Sequence, residues 1–270
     1  MARKIVQTAQ IQATNASVQF PKDQGTHAMP RIAGQRPAPC QFANPGETCE
    51  KCGIRMFSVC GALQPAHLSE LDAMARHIEI PAKATLFEQG ARMTHVYSIT
   101  SGVVRLFRLL SDGRRQIIGF ALPGDFLGLS LAANYAFGAE AVEPLQMCQF
   151  TKEEMSGFVK KRPEVLERMH ELIAHELIIA QDQMVILGRL DAEERVAAFL
   201  LNQHERYKRI GRASVTVPLP MLRVDMADYL GLTIETVSRT ISKMARNKII
   251  LVVPDGVRIL DMARLTALIS

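Results

Sequence analysis

Residues 224–246 read VDMADYLGLTIETVSRTISKMAR, which predicts two short helices joined by a tight turn. The first helix covers residues 226–230 in this prediction, and Gly231 then accepts the positive φ of the turn. Thr233 can cap the N-terminus of the second helix with its hydroxyl. Apolar spacings of 3 and 4 assign the following residues to the inner face of that second helix: Ile234, Val237 and Ile241.

The outer face of the second helix carries side chains that suit the major groove of DNA. Arg239 can make two hydrogen bonds to guanine, and Glu235 can accept one from a cytosine amino group. Ser238 can reach a base edge or a phosphate, and Lys243 suits a phosphate. Because Glu235 and Arg239 are spaced i and i+4, a simple surface ion pair is the competing interpretation.

A hairpin is predicted after this helix. Apolar residues at 249–253 and 257–260 flank the turn signal Pro254-Asp255-Gly256, as expected for two short strands. Turn, cap, hairpin and nearby basic residues together favour a winged helix-turn-helix over the ion-pair interpretation. Double-stranded DNA is therefore the predicted partner.

Composition and charge agree with an anionic partner. The 270 residues carry a net charge of +5 and are 48% hydrophobic, enough for two domains with buried cores. No stretch approaches ~20 apolar residues, so no membrane contact is expected. The N-terminus lacks a secretion signal, which predicts a cytoplasmic protein. We find no phosphate loop, H-E-x-x-H motif or Ser-His-Asp constellation, so no enzyme and no catalytic residue are predicted.

Residues 63–77 have the apolar spacing of a short amphipathic helix, with Leu68, Leu71 and Met74 on one face. Residues 78–150 have the pattern of a small antiparallel barrel. Short apolar runs alternate with glycine turns at roughly ten-residue intervals. A different pattern follows, in which apolar residues recur at spacings of 3 and 4 on a long helix. This near-heptad seam predicts pairing with a second copy of the chain, and packing against its own barrel is the alternative. The seam comprises Leu166, Met169, Ile173, Leu177, Ala180, Met184 and Leu187.

Four cysteines form a candidate metal site. In a reducing compartment, clustered cysteines are more often ligands than disulfides. Four thiolates can hold an iron–sulfur cluster or a zinc ion. Cys40 could replace the first of them but would break the C-x2-C pair, so it is assigned as a non-ligand. The predicted ligands are Cys49, Cys52, Cys60 and Cys148.

From about residue 65 to its end, the sequence resembles the Crp–Fnr transcription regulators. The segments GLTIETVSR and DAEERVAAFL (residues 191–200) carry most of this likeness. The resemblance implies an α+β fold with an N-terminal antiparallel β-roll, a long dimerisation helix and a C-terminal winged helix-turn-helix. The predicted organisation is a flexible tail at 1–38, a cysteine loop at 39–62, a β-roll sensor domain at 63–160, a dimerisation helix at 161–188 and a DNA-binding domain at 189–270.

In this family the E-x-x-S-R set reads TTGAT half-sites of an inverted repeat. It maps onto Glu235, Ser238 and Arg239, with Thr233 and Lys243 beside them. The resemblance implies a homodimer that mainly activates genes for anaerobic or microaerobic life. It also implies a contact with RNA polymerase through barrel loops such as residues 111–114.

The resemblance also bears on the effector. Where family members that bind cyclic AMP carry a glutamate and an Arg-Ser pair, this chain has Leu129 and, by counting, Gly138-Ala139. A cyclic phosphate needs positive charge or dense N–H donors, and no Lys or Arg lies between residues 128 and 148, so no cyclic nucleotide is expected.

The cysteine spacing resembles the FnrN and FixK-like subset of the Fnr branch, in which three N-terminal cysteines and one in the barrel hold a [4Fe–4S] cluster. The resemblance implies one such cluster per chain, which oxygen degrades, weakening the dimer and DNA binding. Structural zinc and thiol-redox sensing without a cluster remain the alternatives.

Overall fold

The computed structural model describes residue 49, residues 52–212 and residues 214–269. The tail predicted at residues 1–38, and Cys40, lie outside the described residues. In chain order, the helices and strands are α1 (Pro65–Met74), β1 (Arg76–Ile80), β2 (Thr85–Phe87), β3 (His95–Ser101), β4 (Val104–Leu109), β5 (Arg115–Ala121), β6 (Phe126–Leu127), β7 (Gly138–Ala141), β8 (Leu145–Thr151), α2 (Lys152–Lys160), α3 (Pro163–Arg189), α4 (Ala192–Arg209), β9 (Thr216–Pro218), α5 (Arg223–Leu230), α6 (Ile234–Arg246), β10 (Ile250–Val253), β11 (Gly256–Ile259) and α7 (Met262–Ala267).

Strands β1 to β8 form two antiparallel sheets, with strand orders β1-β8-β3-β6 and β2-β7-β4-β5. Side chains from both sheets enter one apolar core, which includes Val96 and Ile99 from β3, Val104 from β4 and Ala139 from β7. The predicted fold class, an antiparallel β-roll followed by helices and a helix-turn-helix, is confirmed.

Gly102 shows why glycine marks the predicted turns. Its φ is +84°, in the left-handed region that side chains disfavour. A Cβ at this position would lie 2.5 Å from the carbonyl oxygen of Pro144, so backbone packing also excludes a side chain.

The segment predicted as one helix, residues 63–77, divides into two elements. Pro65 opens α1, where its missing N–H is not needed, and the helix ends at Met74. The chain then enters β1, which pairs with β8 so that His77 lies opposite Cys148. This long-range pairing ends the helix earlier than the local apolar pattern predicts. The cysteine loop also departs from the irregular structure that we expected, since it contains 3-10 turns at Arg55–Phe57 and Val59–Ala62.

Helix α3 runs from Pro163 to Arg189, and its apolar seam faces solvent in the single chain. Met169 is the exception, because it is buried in the roll's core with Val165 and Leu172. The exposed seam residues are Leu166, Ile173, Leu177, Ala180, Met184 and Leu187. Such a stripe on one helix is what pairing with a second copy requires. No helix in the described ranges is long and apolar enough to cross a bilayer.

The C-terminal region packs a sheet of order β10-β11-β9 against helices α4 to α7. The predicted wing is present, since β10 and β11 pair antiparallel with Val253 opposite Gly256. Strand β9 was not predicted, because its three residues carry too little pattern. It adds to the wing by pairing Val217 with Val257.

The winged domain is joined to the roll by apolar and charged contacts. Phe107 and Ile117 of the roll belong to the same core as the residues of α4 and α5. Arg105 donates from Nη1 to Asp225 Oδ1 over 2.9 Å and also pairs with Glu140. The backbone N–H of Ile117 donates to Oδ2 of Asp228 over 3.1 Å.

Candidate nucleic-acid interface and cysteine site

The turn between α5 and α6 has the geometry that its sequence predicts. Gly231 has φ +61° and ψ +39°, a left-handed conformation that ends α5. The hydroxyl of Thr233 accepts a hydrogen bond from the backbone N–H of Thr236 over 3.2 Å, so it caps α6.

Helix α6 buries one face and exposes the other. Val237 and Ile241 are buried as predicted, but the prediction for Ile234 is wrong, because 44% of it is exposed. Ile234 is the first residue of the helix and lies beyond the core. The buried face continues through Thr240 and Met244, two positions that the spacing argument did not use.

The predicted reading residues lie on the outer face. Glu235, Arg239 and Lys243 are exposed, and Ser238 is half-buried. Backbone hydrogen bonding at the start of α6 and the Thr233 hydroxyl lower the pKa of Glu235. Among the described residues, the Glu235 carboxylate does not form an ion pair with Arg239, whose Nη2 donates to Thr236 Oγ1 over 3.5 Å. The charge of Arg239 also contributes to the lowered pKa of Glu235, but the close contact that the ion-pair interpretation requires is not made between these two side chains.

Lys243 has a partner that the sequence did not suggest. Its ammonium pairs with the carboxylate of Glu193, in the first turn of α4 and 50 positions earlier in the chain. Glu193 and Lys243 border a groove that also includes Ser238, Arg239 and Arg246. A phosphate at Lys243 would compete with Glu193 for this ammonium.

In the cysteine site, side chains of α1 and β1 connect Cys49 of the loop with Cys148 of the interior strand β8. Cys148 is buried on β8, opposite His77 on β1 and Ser98 on β3. Its Sγ lies 3.6 Å from Nδ1 of His77. The Nε2 atom of His77 lies 3.7 Å from Oδ1 of Asp72, which accepts a hydrogen bond from Sγ of Cys49 over 3.1 Å. Asp72 and His77 thus connect the two cysteines.

Sequence reasoning missed Asp72 and His77. His77 was predicted as the last residue of a helix, whereas it lies within strand β1, so the direction of its side chain toward Cys148 could not be predicted. Recognising that β1 pairs with β8 in the register that sets His77 opposite Cys148 would have identified His77.

Cys52 and Cys60 lie on the same loop as Cys49, and all three are half-buried. The backbone N–H of Cys52 donates to the carbonyl of Cys49 over 3.4 Å, which makes the C-x2-C segment a turn. Desolvation raises the pKa of the Cys60 thiol to about 11, and the nearby Arg55 opposes this only partly. Within the described ranges, no three His, Cys, Asp or Glu side chains are grouped closely enough to hold a metal ion.

The side chain of Arg168, on α3, donates hydrogen bonds to backbone carbonyls of the cysteine loop. Its Nη2 donates to the carbonyl of Met56 over 3.3 Å, and its Nε donates to the carbonyl of Ser58 over 3.4 Å. The Ser58 hydroxyl in turn lies 2.9 Å from that of Ser98, beside Cys148 in the sheet. The loop is therefore tied both to the seam helix and to the strands around Cys148.

The roll contains a mostly apolar cavity of about 450 Å³ between its sheets and α3. Leu129 lines it, and Arg206 is the only lining residue among those described that carries a positive charge. The guanidinium of Arg206 is already paired with Asp125. Gly138 stands where cyclic AMP-binding members of the family carry the arginine of their Arg-Ser pair. A Cβ at Gly138 would lie 2.6 Å from the Phe107 ring, so this ring fills the space beside that position.

Two family models match the chain. A Crp-like helix-turn-helix domain matches residues 194–268, and a cyclic nucleotide-binding domain matches residues 77–162. The chain is 47% identical to the transcriptional activatory protein AadR of Rhodopseudomonas palustris, over 84% of this chain and 98% of that protein. It is 48% identical to the nitrogen fixation regulation protein FixK of Bradyrhizobium diazoefficiens, over 83% of this chain and 94% of that protein. The solved structure of FixK2 from Bradyrhizobium japonicum is similar, with a TM-score of 0.68 and 33% identity over 73% of this chain and 98% of that one.

Proposed function

The chain belongs to the Crp–Fnr family of transcription regulators, and on that basis we propose that it is an oxygen-responsive activator of anaerobic or microaerobic genes. It binds a TTGAT-type inverted repeat as a homodimer, and a [4Fe–4S] cluster on its cysteines favours that dimer. The observation that carries the proposal is the link from Cys49 through Asp72 and His77 to Cys148.

DNA reading rests on the outer face of α6. Glu235, Ser238 and Arg239 occupy successive turns of a helix whose opposite face is buried, so they can enter a major groove together. Both side chains are exposed, and on docking they would exchange their local hydrogen bonds, Arg239 with Thr236 and Glu235 with Thr233, for base edges. Lys243 exchanges Glu193 for a phosphate when the helix docks.

The donor set fits an iron–sulfur cluster in ligand type, and the described thiols would have to draw together to hold one. Cys49, Cys52 and Cys60 would hold it from the loop, and Cys148 would hold it from β8, because thiolates are the usual ligands of such clusters. When bound, the cluster supplies an oxygen-labile tie between loop and roll. Burial raises the pKa of the Cys60 thiol to about 11, so binding of the cluster would have to displace a more firmly held proton there.

Arg168 links the cysteine loop to the helix that forms the dimer. Arg168 lies on α3, one position before Met169 and two after Leu166 of the seam, and it grips the carbonyls of Met56 and Ser58. Movement of the loop therefore changes the hydrogen bonds of the helix that forms the dimer. A dimer offers two recognition helices about 34 Å apart, so losing it removes one half-site contact.

Activation implies a contact with RNA polymerase. The hairpin between β4 and β5 projects Leu109, Leu110 and Asp112 at the surface, with Arg114 donating to the Asp112 carboxylate over 2.7 Å. This ordered, exposed loop at residues 111–114 is the surface we propose for the polymerase.

The test is to purify the protein without oxygen. We expect brown protein that contains iron and sulfide and that bleaches in air. Cys148→Ser should lower the iron content strongly, whereas the matched control Cys40→Ser should leave it unchanged. Colourless protein with one zinc per chain would favour the structural-zinc alternative, and colourless, metal-free protein would favour thiol-redox sensing.

A further inference from the structure

The turn between β5 and β6, at residues 122–125, lies where the cysteine loop meets the DNA-binding domain. Gly124 is buried there, and a methyl group in place of one of its hydrogens would lie 3.0 Å from Cβ of Phe57 and 3.7 Å from Cγ2 of Ile210. Phe57 ends the first 3-10 turn of the cysteine loop, and Ile210 caps the C-terminus of α4. Both regions therefore approach the same glycine.

Arg206, on α4 of the DNA-binding domain, forms hydrogen bonds with this turn and with the end of β5. Its Nη1 donates to the carbonyl of Phe120 over 2.7 Å, and its Nη2 donates to Oδ2 of Asp125 over 2.6 Å. The same Oδ2 accepts from the backbone N–H of Leu122 over 2.8 Å. One carboxylate thus closes the turn and holds α4, and two charged hydrogen bonds fix the orientation of the guanidinium.

The turn is also anchored in the sheet that carries Cys148. The backbone N–H of Gly124 donates to the carbonyl of Ile99 over 2.9 Å, and the N–H of Ile99 donates to the carbonyl of Asp125 over 3.0 Å. Ile99 follows Ser98, the β3 residue opposite Cys148. The position of the turn therefore depends on the cysteine loop on one side and on the Cys148 sheet on another.

We propose that Arg206 is a positioning residue that sets the DNA-binding domain according to the state of the cysteine loop, through Phe57, Gly124 and Asp125 of the same protomer. The proposal relies on the proposed function for what changes the loop, and it adds a route that does not pass through the dimer seam. When Phe57 leaves Gly124, Arg206 loses fixed acceptors, and α4 shifts together with α6, which packs on it.

A double-mutant cycle tests this route. The full-length protein, purified without oxygen, is titrated against a fluorescent duplex with a TTGAT inverted repeat, and sedimentation reports its mass. Phe57→Ala and Arg206→Gln should each weaken DNA binding on the order of tenfold, a typical size for coupling between two sites. The double variant should be no weaker than either single one, because both changes break the same route. Colour and dimer mass should not change.

Matched variants separate positioning from general effects. Arg209→Gln removes the same charge from an exposed position of α4 and should leave the affinity unchanged. Arg206→Lys should rescue binding in part, since one ammonium lacks the fork that serves two acceptors. Phe57→Leu replaces Phe57→Ala if the latter does not fold.

Additive losses, unchanged affinity or a loss explained by monomer formation would overturn the route. Colourless wild-type protein would refute the cluster but leave the cycle readable, because the titration measures DNA affinity whatever the cysteines hold. Wild-type protein that does not bind this duplex would overturn both proposals.

Discussion

Asp225 shows how one charged residue can join two domains. Its side chain is 2% exposed, and it accepts from Arg105 of the roll and from the backbone N–H of Leu222 at the start of α5. Removing Asp225 leaves Glu140 as the remaining carboxylate beside Arg105 and takes away the acceptor of the Leu222 N–H, all within a mostly buried network. Asp225→Ala should therefore lower the free energy of unfolding by about 3 kcal/mol, measured by urea denaturation. Asp255→Ala, at an exposed position of the wing turn, is the matched control and should change little. Equal free energies of unfolding for the two variants would show that the ion pair between Arg105 and Asp225 does not stabilise the fold.

Arg239 and Lys243 should differ in what they contribute to DNA binding. Arg239→Ala removes a two-point contact to a base, which costs about 1–3 kcal/mol per half-site and relaxes the preference at that base pair. Lys243→Ala removes a phosphate contact and should weaken binding to all duplexes alike. Anisotropy titrations with a TTGAT repeat and a base-substituted repeat measure both effects. If Arg239→Ala keeps its preference for TTGAT, the base contact is wrongly assigned.

At the scale of elements, Gly231 and Gly157 should respond in opposite ways to alanine. Gly231 joins α5 to α6 at φ +61°, and an L side chain there costs about 1–2 kcal/mol. Gly157 lies within α2, and nothing lies within 4 Å of a Cβ built there, so alanine should add about 0.5–1 kcal/mol of stability. Thermal melts of the two variants measure the difference. A stabilised Gly231→Ala variant would contradict the left-handed turn.

The prediction from sequence succeeded for elements that are determined by residues close together in the chain. Gly231, the Thr233 cap and the wing turn at residues 254–256 act over a few residues, and the structure has all three. It failed where distant strands decide, as when pairing with β8 converted the end of a predicted helix into β1. The three-residue strand β9 was not predicted for the same reason, because its pairing with β11, rather than its own sequence, makes it a strand.

At the scale of the whole molecule, the exposed seam of α3 is the surface that we propose for dimer assembly. Leu177 is 57% exposed and belongs to the seam, whereas Ile178 is 54% exposed and lies beside it. Leu177→Glu would place a carboxylate in the dimer core, where an unpaired charge costs several kcal/mol. Sedimentation should therefore find Leu177→Glu as a monomer with weak DNA binding, and Ile178→Glu as a dimer. A dimeric Leu177→Glu variant would assign pairing to another surface.

The sequence by itself determined the β-roll, the seam helix and the winged helix-turn-helix, because short-range sterics and apolar period encode them. Its four-cysteine ligand set stays a prediction, and Cys40 lies outside the described residues. Only the tertiary structure decided which distant side chains meet: Asp72 and His77 between Cys49 and Cys148, Glu193 on Lys243, and Arg206 on Asp125. Those contacts depend on strand register and domain docking, which bring together residues up to 81 positions apart that no local period relates.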